Sequence, residues 1–179
     1  MILNTKILPF ILFFFCTISY LFAQEPDQTK YSVEGTLTQT WQYCGGVAPT
    51  REQEEEYSRP KPYTTKLYIR QGKENSEEFP IYDSATTEGA GNFRFSLPPG
   101  DYIIILPSQC RKDILKSYMN NANQYLIVDS DCLKKWWKTG LFKFTVTNKN
   151  ITNLDTSFNN MCFVPYPNPC FNYIGPYPP

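Results

Sequence analysis

The alternation of apolar and polar residues is sharpest between Thr87 and Leu106. Phe93, Phe95 and Leu97 fall on one face of an extended chain, and Asn92, Arg94 and Ser96 on the other. Period 2 with aromatics predicts a half-buried strand. Gly89 and Gly91 supply an entry turn with positive φ. Pro98-Pro99-Gly100 ends the strand, because proline cannot donate to a ladder, and the spacing predicts a tight reversal into a second strand. That second run, Tyr102 to Leu106, is apolar at every position, as expected of a strand covered on both faces or of an exposed face meant for a partner, the covered strand being the plainer reading. Its three consecutive isoleucines are β-branched and argue against a helix. The two strands are expected to form a hairpin around which the chain is arranged.

Weaker alternation recurs on both sides. Tyr31, Val33, Gly35 and Leu37 alternate with Ser32, Glu34, Thr36 and Thr38 in a first strand. Leu67 and Ile69 alternate with Lys66, Tyr68 and Arg70 in a second, which places Lys66 and Arg70 on the outer face. A short strand is expected over Phe79 to Tyr82. Phe142, Phe144 and Val146 alternate with Lys143 and Thr145, and a last strand is expected over Leu154 to Phe163. Between these, helical spacing appears twice. Ile114, Leu115, Tyr118 and Met119 predict a short helix over 111–119, capped by Ser108. Leu133, Trp136 and Trp137 predict another over 132–138, capped within Asp129-Ser130-Asp131 and stopped by Gly140. A brief strand over Tyr125 to Val128 separates the two. The acidic run Glu52-Gln53-Glu54-Glu55-Glu56 reads as a solvated loop with at most one helical turn. A calcium site would space its oxygen ligands through turns.

The pattern Gly-x-Phe-x-Phe-x-Leu-Pro-Pro-Gly-x-Tyr from Gly91 to Tyr102 resembles the carboxypeptidase regulatory-like domains, which are transthyretin-like (prealbumin-like) β-sandwiches of secreted and envelope proteins. Val33-Glu34-Gly35-Thr36-Leu37 is similar to that family's opening strand, and Lys66-Leu67-Tyr68-Ile69 to the strand that partners the motif. The entry turn lacks the family's usual Asp before Gly, and the segment between the first two strands is longer than its norm. The resemblance implies a mainly β fold: a single antiparallel Greek-key-type β-sandwich of about seven strands, with a short helical insertion and a Pro-rich tail. It implies a non-catalytic binding or accessory module and names no ligand.

Met1 to Gln24 reads as a secretory signal peptide, with Lys6 before an apolar run and a cut after Ala23 or Gln24. Residues 25–163 would then be the sandwich domain, with the helical insertion at 108–140, and 164–179 a tail that holds six of the 15 prolines. The expected location is secreted, periplasmic or extracellular. After the cut no membrane span is expected, and loss of Lys6 from 17 positive against 17 negative residues leaves a mature charge of −1. That balance points away from nucleic acid as a partner. A protein or glycan partner is left open.

The chain has no histidine, which removes the commonest general base and transition-metal ligand. No P-loop or dinucleotide-binding glycine pattern occurs, so no cofactor, metal or catalytic residue is indicated. A self-made Lys–Asn isopeptide bond would need a lysine facing the core of an early strand, and Lys66 faces out. Cys44, Cys110, Cys132, Cys162 and Cys170 remain after the leader, and disulfides are expected. The favoured pairing is Cys110–Cys132, with the tail fastened by Cys162–Cys170 or by Cys44 and one of them. An odd count leaves one unpaired. Trp41, Trp136 and Trp137 are the candidate ligand aromatics, since aromatic faces stack on sugar rings. The plainer alternative makes the Trp136-Trp137 pair a core plug. Asn150-Ile151-Thr152 is a formal glycosylation sequon. The tail reads as a strap over the sandwich tied down by cysteine, or as an exposed peptide ligand.

Overall fold

The computed structural model describes residues 29–176; the leader and the last three residues lie outside them. The described residues form a mainly β sandwich with three short α-helices. The first sheet is built on β1 (Tyr31–Trp41). One edge of β1 takes β5 (Asn92–Leu97) and then β2 (Lys61–Pro62), both antiparallel. The other takes β9 (Ile151–Thr152) and then β10 (Thr156–Asn160), both parallel. β9 and β10 behave as one strand with an extra residue, since Val33 faces Ile151 while Leu37 faces Thr156. At that bulge Asn153 has φ 105°, and both Asn153 N and Leu154 N donate to Glu34 O. Asn150 and Asp155 side chains accept from Ser32 N and Thr36 N, at 2.9 and 2.8 Å.

The second sheet has the order β4 (Asp83–Thr86), β3 (Lys66–Gln71), β6 (Gly100–Ile105), β8 (Phe142–Val146), all antiparallel. The core between the sheets joins Val33, Leu37, Phe93, Phe95 and Leu97 from the first to Leu67, Ile69, Tyr102, Ile104 and Val146 from the second. The faces predicted from alternation in β1, β5, β3 and β8 are the faces observed; Arg70 keeps its outer-face position but is buried there.

β5 and β6 are not a hairpin. β5 pairs with β1 and β6 with β3 and β8, so Pro98-Pro99 carries the chain from one sheet to the other. Two prolines withhold the N–H groups that a ladder between these strands would need. Gly91 lies in the entry turn with φ 92°, and a Cβ there would sit 2.0 Å from Leu37 O. The all-apolar run of β6 is covered on both faces: Tyr102 and Ile104 meet the first sheet, and Ile103 and Ile105 lie beneath Gly140.

Several boundaries differ from the sequence expectation. The acidic segment is a helix, α1 (Arg51–Ser58), opened by a capping box between Thr50 and Gln53 and laced by an Arg51–Glu55 pair at 3.0 Å. Phe79 to Tyr82 is irregular, and the strand β4 follows it at Asp83. Ser108 lies in a 3₁₀ turn over Pro107–Gln109. The helix after it, α2 (Ile114–Asn120), has no side-chain cap. α3 (Ser130–Thr139) is capped by Asp129, which accepts from Asp131 N and Cys132 N.

α2, α3 and the tail build a second core. Leu115, Leu126, Leu133, Trp137, Cys170 and Phe171 are its buried members. A two-stranded antiparallel sheet of β7 (Leu126–Val128) and β11 (Phe171–Tyr173) ties the tail to the insertion. The tail therefore supplies core residues to the insertion.

Candidate functional site

An open groove of about 1170 Å³ lies between the 72–79 loop and helices α2 and α3. Its wall is set by two buried polar residues. Arg70, on the outer face of β3, is 5% exposed. Its guanidinium donates to Ser76 O and Phe79 O, and to Cys110 O at 2.7 Å. Alternation predicts a solvated Arg70, but the 72–82 loop and the insertion cover it. Among the described residues no salt bridge reaches it: backbone carbonyls satisfy its Nη atoms, and Nε meets no partner. Asn75 is 2% exposed. Its Nδ2 donates to Gln109 O at 2.8 Å and Trp137 O at 3.0 Å, and its backbone N to Lys138 O at 2.8 Å. Gln109, fully buried, accepts from Leu106 N and donates from Nε2 to Trp136 O at 2.8 Å. Asn75 and Gln109 thus occupy three carbonyls at the C-terminal end of α3 that the helix leaves open.

Leu115, Leu133 and Trp137 form the groove's apolar floor, and Phe79 (47% exposed) and Met119 (41% exposed) stand on its walls. Charges of both signs rim it. Lys138 pairs with Glu74 at 2.7 Å, Lys134 with Asp131 at 2.9 Å, and Glu77 accepts from Lys112 N.

A second, smaller cavity of about 340 Å³ lies between β10, Trp136 and the 164–169 segment of the tail. A third concavity, polar, surrounds the bulge at Glu34, Asn92 and Asn153.

The three predicted aromatics do not form one platform. Trp137 is buried in the second core, with Nε1 donating to Arg111 O at 3.2 Å. Trp136 is half-buried and packs against both cores. Trp41 ends β1 with Lys61 Nζ 5.4 Å above its ring. Lys66 is exposed, with Nζ over the Tyr68 ring at 5.3 Å. The core-facing positions of β1 from Tyr31 to Leu37 are Tyr31, Val33, Gly35 and Leu37, with no lysine among them.

The disulfides are Cys44–Cys162 and Cys132–Cys170, with Cys110 free. This corrects the expected Cys110–Cys132 pairing. Cys110 lies beneath Arg70 with its thiol 3.6 Å from Leu106 O, whereas Cys132 at the start of α3 faces the tail. A Cys110–Cys132 bridge would staple the helical insertion, but a disulfide requires Cα atoms within about 7 Å, which only the fold decides. Burial pushes the Cys110 thiol up, and Arg70 only partly offsets it, which favours the poorly nucleophilic protonated form.

Burial likewise raises the Tyr63, Tyr102 and Tyr166 phenols. A hydrogen bond from its own backbone N–H, and next one from the Thr50 side chain, lowers Glu52, and the hydrogen bond from Lys61 lowers Glu56. Each of these shifts moves its group away from neutrality, the reverse of what acid–base catalysis uses. Among the described residues, no three Cys, Asp or Glu side chains converge as a metal site, and no helix is long and apolar enough to cross a membrane.

No family model matches the chain, and no curated relative does. Among solved structures, the shaft pilin SpaA of Lactobacillus rhamnosus GG aligns at 12% identity, covering 74% of this chain and 51% of that one, with a TM-score of 0.38. Its N-terminal domain alone aligns at 13% identity, 77% and 99% coverage and a TM-score of 0.34. The minor pilin GBS52 of Streptococcus agalactiae gives 12%, 78%, 47% and 0.31. The chain spans about half the length of the two whole pilins. The sandwich is defined by the strand pairing itself.

Proposed function

We propose that this chain is an extracytoplasmic, non-catalytic sandwich module that binds another protein through the groove between the 72–79 loop and helices α2 and α3. The observation that carries the reading is the groove's make-up. Its apolar floor and its half-exposed Phe79 and Met119 sit inside a charged rim, the anatomy of a protein-binding patch. Its walls are held by Arg70 and Asn75, so the surface is preformed and little ordering is needed on binding. Two disulfides support an oxidising compartment. The Gly91–Tyr102 pattern, which resembles carboxypeptidase regulatory-like domains, supports a module of accessory type.

The test is cross-linking of the oxidised, secreted protein in its native medium, comparing wild type with Met119→Asp and with Lys143→Glu on the far edge strand β8. A specific adduct should be lost in Met119→Asp and kept in Lys143→Glu. An adduct indifferent to Met119→Asp would overturn the groove assignment. Turnover of any substrate by the pure protein would overturn the non-catalytic reading.

A further inference from the structure

The groove between the 72–79 loop and helices α2 and α3 has banks of opposite charge. Of its lining residues, the loop bank supplies three glutamates and one lysine, and the helical bank four lysines and one aspartate. Two contacts cross between the banks: Lys138 Nζ reaches Glu74 at 2.7 Å, and Lys112 N donates to Glu77 at 2.7 Å. Lys134 is held by Asp131 at 2.9 Å. Among the described residues, no salt bridge takes up the ammoniums of Lys112 and Lys116 on one bank or the carboxylate of Glu78 on the other. All three side chains are exposed. The accessible apolar surface also comes from both banks, Phe79 on the loop and Met119 on α2.

The lining restricts what could fit. No strand residue belongs to it, so the groove offers no free ladder edge. An extended peptide laid between Phe79 and Met119 would bury backbone N–H and C=O groups with nothing to pair them. A helix satisfies its own backbone and presents only side chains. The ten residues of α3 make a wall about 15 Å long, room for about three helical turns. The chain does not supply such a helix itself. α1 is acidic, with Tyr57 as its only apolar residue, and α2 and α3 are the wall.

We propose that the groove receives one amphipathic helix of a partner protein. Its apolar stripe enters between Phe79 and Met119, its acidic flank faces Lys112 and Lys116, and its basic flank faces Glu77 and Glu78. This rests on the protein-binding reading of the groove and adds the class of partner and its direction. Turning the helix end for end exchanges its flanks and sets like charges against both banks, so the two banks admit one direction only.

Fluorescence anisotropy on the oxidised protein would test it. The probes are synthetic helical peptides of about three to four turns with leucines at i, i+3, i+4 and i+7. They differ only in their flanks: Glu on one and Lys on the other, Glu on both, or Lys on both. The mixed-flank peptide should bind about tenfold more tightly than either single-sign peptide. A central proline, which breaks the helix, should abolish its binding, and so should Met119→Asp. In the double variant Lys112→Glu/Lys116→Glu both banks are acidic, and the peptide with Lys on both flanks should become the tightest binder. Both lysines are exposed, so an unchanged thermal midpoint is expected. Lys116→Gln, a milder change, should weaken the mixed-flank peptide about threefold. Equal binding of the three peptides, a preference that the lysine variants do not move, full binding of the proline peptide, or no binding by any of them would overturn the proposal. The protein-binding reading is judged separately by the cross-linked adduct. If Met119→Asp removes that adduct while no helical peptide binds, the groove still takes a protein and the helix assignment alone is wrong. An adduct indifferent to Met119→Asp would overturn both.

Discussion

The Tyr102 hydroxyl donates to the Pro98 carbonyl at 3.0 Å, across the segment that carries the chain from β5 to β6. Tyr102 is fully buried and Pro98 is buried. The bond closes the arch between the two sheets and gives the Pro98 carbonyl a partner that neither sheet supplies. Tyr102→Phe should leave that carbonyl orphaned and cost about 1–2 kcal/mol. Urea denaturation would read it as a lower midpoint at unchanged slope. A midpoint equal to wild type would show that the arch does not depend on this bond.

Asn75 holds the groove wall through two carbonyls, Gln109 O and Trp137 O, which converge on one amide. Asn75→Ala should destabilise by about 2–3 kcal/mol, because two buried acceptors lose their donor. Asn75→Asp should be worse despite its matching shape, since a carboxylate offers only acceptors and would face two carbonyls. Thermal melts of the two variants, compared side by side, check the order. If Asp were the milder change, the amide bonds would not be what holds the loop.

The cysteine assignment predicts a specific peptide map. Non-reducing digestion should link Cys44 with Cys162 and Cys132 with Cys170, and leave Cys110 alone. On loop-closure grounds the bridges contribute about 5 and about 4 kcal/mol, the longer loop the more. Cys110 should resist iodoacetamide at pH 7 until the protein is denatured, since burial holds its thiol protonated. Rapid native labelling would contradict its position beneath Arg70.

Alkaline stability should be set by buried phenols. Tyr63, Tyr102 and Tyr166 all titrate above their ordinary value of 10.0, chiefly because burial disfavours the phenolate. Above that value the unfolded chain releases protons that the folded chain retains, so stability should fall as pH rises. Below it these groups contribute no slope. Tyr166→Phe should flatten the decline, and denaturation midpoints measured on both sides of pH 10 would show whether it does.

The strand faces were legible in the sequence and the strand neighbours were not. Phe93, Phe95 and Leu97 point inward as their alternation requires, and Tyr102 to Ile105 are buried on both faces. Period 2 reports which side of a strand meets the core, and says nothing about which strand lies beside it. Pro98-Pro99-Gly100 suits a hairpin and an arch alike, and only the competing ladders of β1, β3 and β8 choose between them. Arg70 departs from expectation for a related reason. Its outer-face position is correct, but exposure depends on the loop and insertion that pack over it from elsewhere in the chain. The groove is invisible in sequence because its walls come from 72–79 and 112–138, joined through backbone carbonyls that carry no residue-type signature.

The sequence by itself determined the secondary-structure faces, a cap for α3 within Asp129-Ser130-Asp131 and its stop at Gly140, and the apolar character of β6. These follow from short-range rules: pleat, helical spacing, and the conformational limits of proline and glycine. Tertiary structure decided the parallel docking of β9 and β10 on β1, the pairing of Cys132 with Cys170, and the use of the tail as core and cavity wall. Each depends on which distant segments come within contact distance, a quantity fixed by the packing of the whole chain.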